Sequence, residues 1–275
     1  MLNTLVQGSG PPLIWGHGLQ ASIAFEQSSG LFHSSPSRLR RIRFDAPGHG
    51  QSDAAMDASA CQWSSLGRTM LEVARLHVPE GRFALGGQSM GCAAALHAAV
   101  MAPERVSHLV LATPPTAWAG RPAQARKHQR ALGLLQRRGI EPFMAANRQF
   151  PAFPEWLRAA RPHLEHARLE ALAGFDAQRL SPLLLGAAGS DLPDPERLRE
   201  LQMPALILAW SDDETHPLLT AEQLAELLPA ATLLIASDAL AVERWPELID
   251  DFVTGPSPAS PSEPPVPGPG AARAD

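Results

Sequence analysis

The chain has 275 residues, 45% of them hydrophobic, two cysteines and a formal net charge of -5. That is enough apolar material for one sizeable core, too little positive charge for a polyanion-binding surface, and too few cysteines for a disulfide scaffold. No uninterrupted apolar run reaches the length of a membrane span, and no basic start followed by an apolar run marks a secretory signal, so a soluble, cytoplasmic protein is expected, with neither nucleic acid nor membrane as partner.

In chain order, short apolar runs alternate with stretches of helical spacing. "PPLIWGHG" (11–18) and "RIRFDAPGHG" (41–50) each read as a buried strand running into a loop. "WSSLGRTMLEVARLHV" (63–78) reads as a helix, "RFALGGQS" (82–89) as a strand, "MGCAAALHAAVMA" (90–102) as a helix and "VSHLVLAT" (106–113) as a strand. After a long interruption come a strand in "PALILAWSDD" (204–213), a helix in "TAEQLAELL" (220–228), a strand in "ATLLIAS" (231–237) and a helix in "VERWPELIDDFV" (242–253). Strands separated by helices require right-handed crossovers and a mostly parallel sheet covered on both faces. The expected fold is a doubly wound α/β domain, whose ligands sit beyond the carboxyl ends of the strands.

The interruption, about residues 114–201, is helical and proline-punctuated with no clear strand, which is how a helical cap is inserted into such a core. The expected division is therefore a core of residues 1–113 and 202–254, a cap of 114–201 and a disordered proline-rich tail of 255–275. The cap opens with "RPAQARKHQRALGLLQRR" (121–138), which holds six basic residues and no acid. Such a run is ordinarily a solvated helix face; the sharper alternative is that Arg126 and Arg130 attract a carboxylate-bearing substrate.

"GQSMG" (87–91) sets Ser89 in a G-x-S-x-G pattern. By composition alone this should arise in about one chain of this length in ten, but here it directly follows an apolar strand and opens a helix, the placement a nucleophile elbow requires. Side chains at the flanking positions would collide with the neighbouring strand and helix, and the serine would sit at a helix N-terminus, where developing negative charge is favoured.

With this element the chain resembles the α/β-hydrolase superfamily, in particular the small capped esterases and lactonases that include 3-oxoadipate enol-lactonases and haloperoxidase-like enzymes. The resemblance runs over about residues 11–253 and rests on "HG" at 17–18, "DAPGHGQSD" at 45–53, "GQSMG" at 87–91 and "LILAWSDDETHP" at 206–217, in that order. It implies Ser89 as nucleophile, the backbone amides of Leu19 and Met90 as oxyanion hole, and Asp213, four residues before Pro217, as the acid, with Asp212 as fallback. It also implies that Asp45, His49 and Ser52 pin their loop rather than act in catalysis, and Cys92 and His97 read as packed helix residues.

The same resemblance exposes a gap. The family's histidine follows the last strand, about seven residues before the proline of a "PE" pair; here that pair is Pro246-Glu247, and counting back lands on Ala239. No histidine follows His216, so the triad is incomplete in its usual order. A relocated base, for which His216 and His17 are the candidates, would keep the chain a hydrolase of a small carboxylic ester or lactone. The different-class alternative is a catalytically impaired or non-catalytic relative that binds a small molecule, and a third is replacement of a native histidine by Ala239. No cofactor or metal is called for, since the ten histidines are scattered without ligand spacing, and the sequence leaves oligomeric state open.

Overall fold

The computed structural model describes residues 1–33 and 36–255. Seven strands form one sheet: β1 (Thr4–Gln7), β2 (Pro12–Gly16), β3 (Arg40–Phe44), β4 (Phe83–Gln88), β5 (Val106–Ala112), β6 (Ala205–Trp210) and β7 (Ala231–Ala236). Their spatial order is β1-β3-β2-β4-β5-β6-β7, parallel throughout except for β1, which runs antiparallel to β3. The six expected strands are the six parallel ones. The central strands β4, β5 and β6 are almost wholly buried, and a parallel strand covered on both faces is a continuous apolar run. β1 escaped the sequence reading because it is a short, largely exposed edge strand with no apolar run to mark it.

Two helices pack on the first half of the sheet, α2 (Trp63–His77) and α3 (Met90–Met101), after a short α1 (Ile23–Ser29) that the sequence did not announce. α3 carries five alanines, a glycine and a cysteine among its 12 residues and is buried on almost every side, so it lies close against the sheet. α10 (Leu218–Leu227) covers β6 and β7. The expected helix over 242–253 is in fact two, α11 (Ala239–Glu243) and α12 (Trp245–Thr254). Pro246 explains the break, since its ring is tolerated in the first turn of a new helix and not in the interior of a continuous one.

Between β5 and β6 the chain makes six helices and no strand: α4 (Arg121–Arg138), α5 (Ile140–Gln149), α6 (Glu155–Ala160), α7 (His163–Ala173), α8 (Ala177–Ala188) and α9 (Pro195–Arg199). Leu135, Phe143, Leu172, Leu180, Leu183 and Leu184 form a cluster of their own here, separate from the clusters on the two sheet faces. Polar ties anchor these helices to the rest. Arg179 donates to the carbonyls of Gly50 and Ser52, and the Arg121 guanidinium lies 4.1 Å over the Trp63 ring while donating to the carbonyls of Ser190 and Ala187. No helix among the described residues is long and apolar enough to cross a membrane. The proline-rich stretch after Gly255 lies outside the described residues.

Candidate active site

Ser89 sits between β4 and α3 with φ +53° and ψ -107°, a backbone conformation that costs a non-glycine residue about 1–3 kcal/mol and survives only where the surroundings impose it. The imposition is visible in the flanking glycines. A Cβ on Gly91 would lie 1.9 Å from the Gly16 carbonyl oxygen, and one on Gly87 would lie 2.4 Å from the Gly91 carbonyl carbon. α3 therefore starts in backbone contact with β2 and β4, and the turn is too tight for any other residue at those two positions. The Ser89 amide donates to the Ala112 carbonyl of β5, and its own carbonyl accepts from Ala93.

His216 meets this serine. Its Nε2 lies 2.9 Å from Ser89 Oγ and its Nδ1 2.7 Å from Asp213 Oδ2. The ionised carboxylate can only accept, so Nδ1 carries the proton and Nε2 accepts from the serine hydroxyl. Both side chains are sheltered, with exposures of 9% for His216 and 6% for Asp213. Asp213 collects four donors: Oδ1 takes the backbone amides of Thr215 and His216, and Oδ2 takes the His216 ring and the Trp210 indole N–H at 2.8 Å. Burial pushes this carboxyl up, but His216 and the hydrogen bonds outweigh burial and bring it down to about 2. Asp212 instead turns to Ser211 and is exposed.

His17, the other candidate base, is placed differently. Its Nε2 accepts from the Ala46 amide and its Nδ1 faces the Gly18 carbonyl at 2.8 Å, so both ring nitrogens are engaged with backbone and none is left for Ser89. The ring lies beside His49, which accepts from the Gln20 amide and faces the Pro47 carbonyl. Burial, then the neighbouring His17, holds His49 well below the usual histidine range. Asp45 accepts from the Ile23 and Gln51 amides, so these groups tie the 45–53 loop to the turn after β2. Cys92 is buried, which pushes its thiol up, and His97 faces the Asp191 carbonyl. Ala239 opens α11 just after the Asp238 N-cap.

Leu19 and Met90 line the same cavity as Ser89 and His216. Met90 is the first residue of α3, so its amide has no intrahelical partner, and Leu19 is held in a turn closed by the Ala21 amide on the Gly18 carbonyl. The cavity encloses about 1070 Å³ between the strand ends and the helices that follow β5. Phe143, Phe153, Leu134 and Leu172 give it apolar walls. Arg130 borders it and Arg126 does not; Arg126 faces a second surface depression along α4. Among the described residues, no group of three or more histidine, cysteine, aspartate or glutamate side chains is arranged to hold a metal ion.

A family model described as the alpha/beta hydrolase fold matches residues 11–184, a span that includes Ser89 and stops short of Asp213 and His216. A protein of Caulobacter sp. (strain K31) assigned as a carbamate hydrolase, RutD, is 29% identical over 206 residues, 73% of either chain. The pimeloyl-acyl-carrier-protein methyl ester esterase of Nitrosomonas europaea is 38% identical over 105 residues, 38% of this chain and 37% of that one. Among solved structures, a thermophilic esterase from Thermogutta terrifontis superposes with a TM-score of 0.75 at 20% identity, covering 92% of this chain and 91% of its own. That last likeness speaks for the fold.

Proposed function

The chain belongs to the α/β-hydrolase fold family, and from that premise we propose that it hydrolyses a small carboxylic ester or lactone through an acyl-enzyme on Ser89. The observation that carries this reading is the unbroken hydrogen-bond line from Ser89 Oγ through His216 to Asp213. A serine hydroxyl is a weak nucleophile until a base within hydrogen-bond reach can take its proton. His216 takes that proton as Oγ attacks the carbonyl carbon, and Asp213 holds the ring in the tautomer that can do so and stabilises the imidazolium that forms. The oxyanion is received by the amides of Leu19 and Met90. His216 then delivers its proton to the departing alkoxide, which leaves as the alcohol, or stays tethered to the acyl chain if the substrate is a lactone. Water attacks the acyl carbon as the same imidazole removes its proton, the bond to Ser89 Oγ breaks, and the serine regains its proton as the carboxylic acid departs.

The helices between β5 and β6 serve as a cap over this chemistry, supplying apolar walls for the acyl or alcohol part of the substrate. The activities named for the relatives, on a carbamate and on a methyl ester, are of the same broad type. A second reading has one observation in its favour, the alanine at position 239 where the resembling enzymes carry their base: a binding protein that keeps the pocket without turnover. Reaction with a fluorophosphonate probe and with short-chain p-nitrophenyl esters, beside Ser89→Ala and His216→Ala controls, separates the two. Labelling and turnover that disappear in both variants are expected; a folded wild-type protein that is silent on both assays would leave the binding reading.

A further inference from the structure

In this site the acid and the base stand three residues apart on one loop. Their mutual hydrogen bond therefore fixes each relative to the other and says nothing about where the pair stands relative to Ser89, which belongs to a different strand and helix. Something outside the loop has to set that register. Two of the four donors on Asp213, the amides of Thr215 and His216, belong to the loop itself, and a third is the His216 ring. The fourth is Trp210 Nε1, from the last residue of β6, on the same oxygen that His216 holds. The indole has little room to turn. It is 1% exposed, stacked on Trp245 with centroids 5.6 Å apart and rings 20° from parallel, and met edge-on by Phe153.

Resting on the hydrolase reading above, we propose that Trp210 is a positioning residue, whose indole N–H ties the Asp213 carboxylate to the sheet and so holds His216 in register with Ser89. The indole holds His216 through Asp213, with its ring also meeting the imidazole edge-on at 6.3 Å between centroids, and it does not line the cavity. Its N–H is spent on the oxygen that also orients the imidazole, so its removal frees the carboxylate to swing about Cβ–Cγ within a loop whose remaining ties, the Ser211 amide on Ala236 and Thr116 on Thr215, do not touch the carboxylate. Comparing a variant that loses the N–H and part of the stack with one that loses a similar part of the stack and keeps the N–H separates this role from packing.

Trp210→Phe removes the N–H and thins the stack, and Trp245→Phe, which thins the same stack and leaves the N–H in place, is the control for the thinning. Trp210→Phe is expected to lower kcat and the rate of fluorophosphonate labelling by about tenfold or more with KM nearly unchanged, the range seen when supporting hydrogen bonds behind a reacting group are cut. The low-field proton resonance of the hydrogen bond between His216 and Asp213 should shift or broaden in that variant. Trp245→Phe should cost stability in thermal melts and leave kcat and the resonance near their wild-type values. Equal losses of kcat in the two variants, or an unchanged resonance and kcat in Trp210→Phe, would overturn the positioning role while His216→Ala still abolished turnover. A wild-type protein without Ser89-dependent labelling would instead sink the hydrolase reading and this inference with it.

Discussion

The two halves of the candidate site are held by different means, one by close backbone packing and the other by a set of separate hydrogen bonds. The Ser89 elbow is held by backbone: two glycines, at 87 and 91, let α3 touch β2 and β4, and the strained serine between them has no freedom left. The loop from Ser211 to Pro217 is held by separate hydrogen bonds of both kinds: backbone bonds from the Ser211 amide to the Ala236 carbonyl and from the Thr116 amide to the Thr215 carbonyl at 3.1 Å, and side-chain bonds from Trp210 to Asp213 and from the Thr116 hydroxyl to the Thr215 carbonyl at 3.0 Å. A steric backbone constraint of this kind is all-or-none, whereas a set of separate hydrogen bonds can be weakened a step at a time. The elbow should therefore fail by unfolding and the loop by losing rate.

The largest effect is expected from cutting the line that joins the halves. Ser89→Ala and His216→Ala should each lower kcat for p-nitrophenyl esters by about 10⁴-fold or more, and the double variant should be little worse than either, since residues acting as one unit are not additive. A double variant whose loss is the product of the single losses would mean that the two residues act separately.

Next comes the elbow by itself. Gly91→Ala forces a Cβ onto the Gly16 carbonyl oxygen and should destabilise the protein by about 3 kcal/mol or more, the upper range for overpacking where only backbone can yield. Urea melts that match wild type would show that α3 can back away from β2, against the tight placement described above.

On the loop side, Asp213 supplies a pH signature. Its carboxyl is lowered to about 2 from an ordinary 3.8, so the folded state prefers the ionised form, and the resulting stabilisation is fully present above about pH 4 and lost as pH falls toward 2, amounting to about 2 kcal/mol at most. The stability difference between wild type and Asp213→Asn should accordingly shrink as pH falls from about 4 toward 2. A difference that stays constant from pH 5 to pH 2 would contradict the ionised, hydrogen-bonded carboxylate.

Smaller effects are expected from the outer holds. Thr116→Val removes the hydroxyl bond to Thr215 and keeps the amide bond, a loss of about 1 kcal/mol, which should appear as a modest fall in kcat with KM unmoved. Ala239→His should change ester hydrolysis least of all, because Asp213 Oδ2 is already taken by His216 and Trp210. A rise of several orders of magnitude there would mean that His216 is a poor substitute and that the missing family histidine is the true defect.

Much of this molecule was legible in its sequence. The six parallel strands could be read because a strand buried on both faces must be an apolar run, and the elbow because a strand, a tight turn and a helix are all contiguous in the chain. β1 and α1 were not legible, the one an exposed edge and the other a short helix of about two turns after a loop. The split of the last helix follows from Pro246, whose ring fits only the first turn of α12.

For the base, the sequence supplied two candidates and no way to choose between them. Contiguity placed Asp213 and His216 on one loop, but the distance from His216 to Ser89 spans 127 residues of chain and depends on how β4 and β6 are ordered in the sheet. His17 looked equally near by its position beside the expected oxyanion turn, and what removed it was a pair of backbone partners, one of them 29 residues away at Ala46. Likewise Arg121 stood in the sequence as one basic residue of six, and only the packing of α4 turned it inward onto Trp63. Local pattern determines which backbone shapes a chain can form. Which side chains then meet is decided by the order of strands and the packing of helices, because hydrogen bonds reach only about 3 Å and the residues that make them at this site lie up to 127 positions apart in the chain.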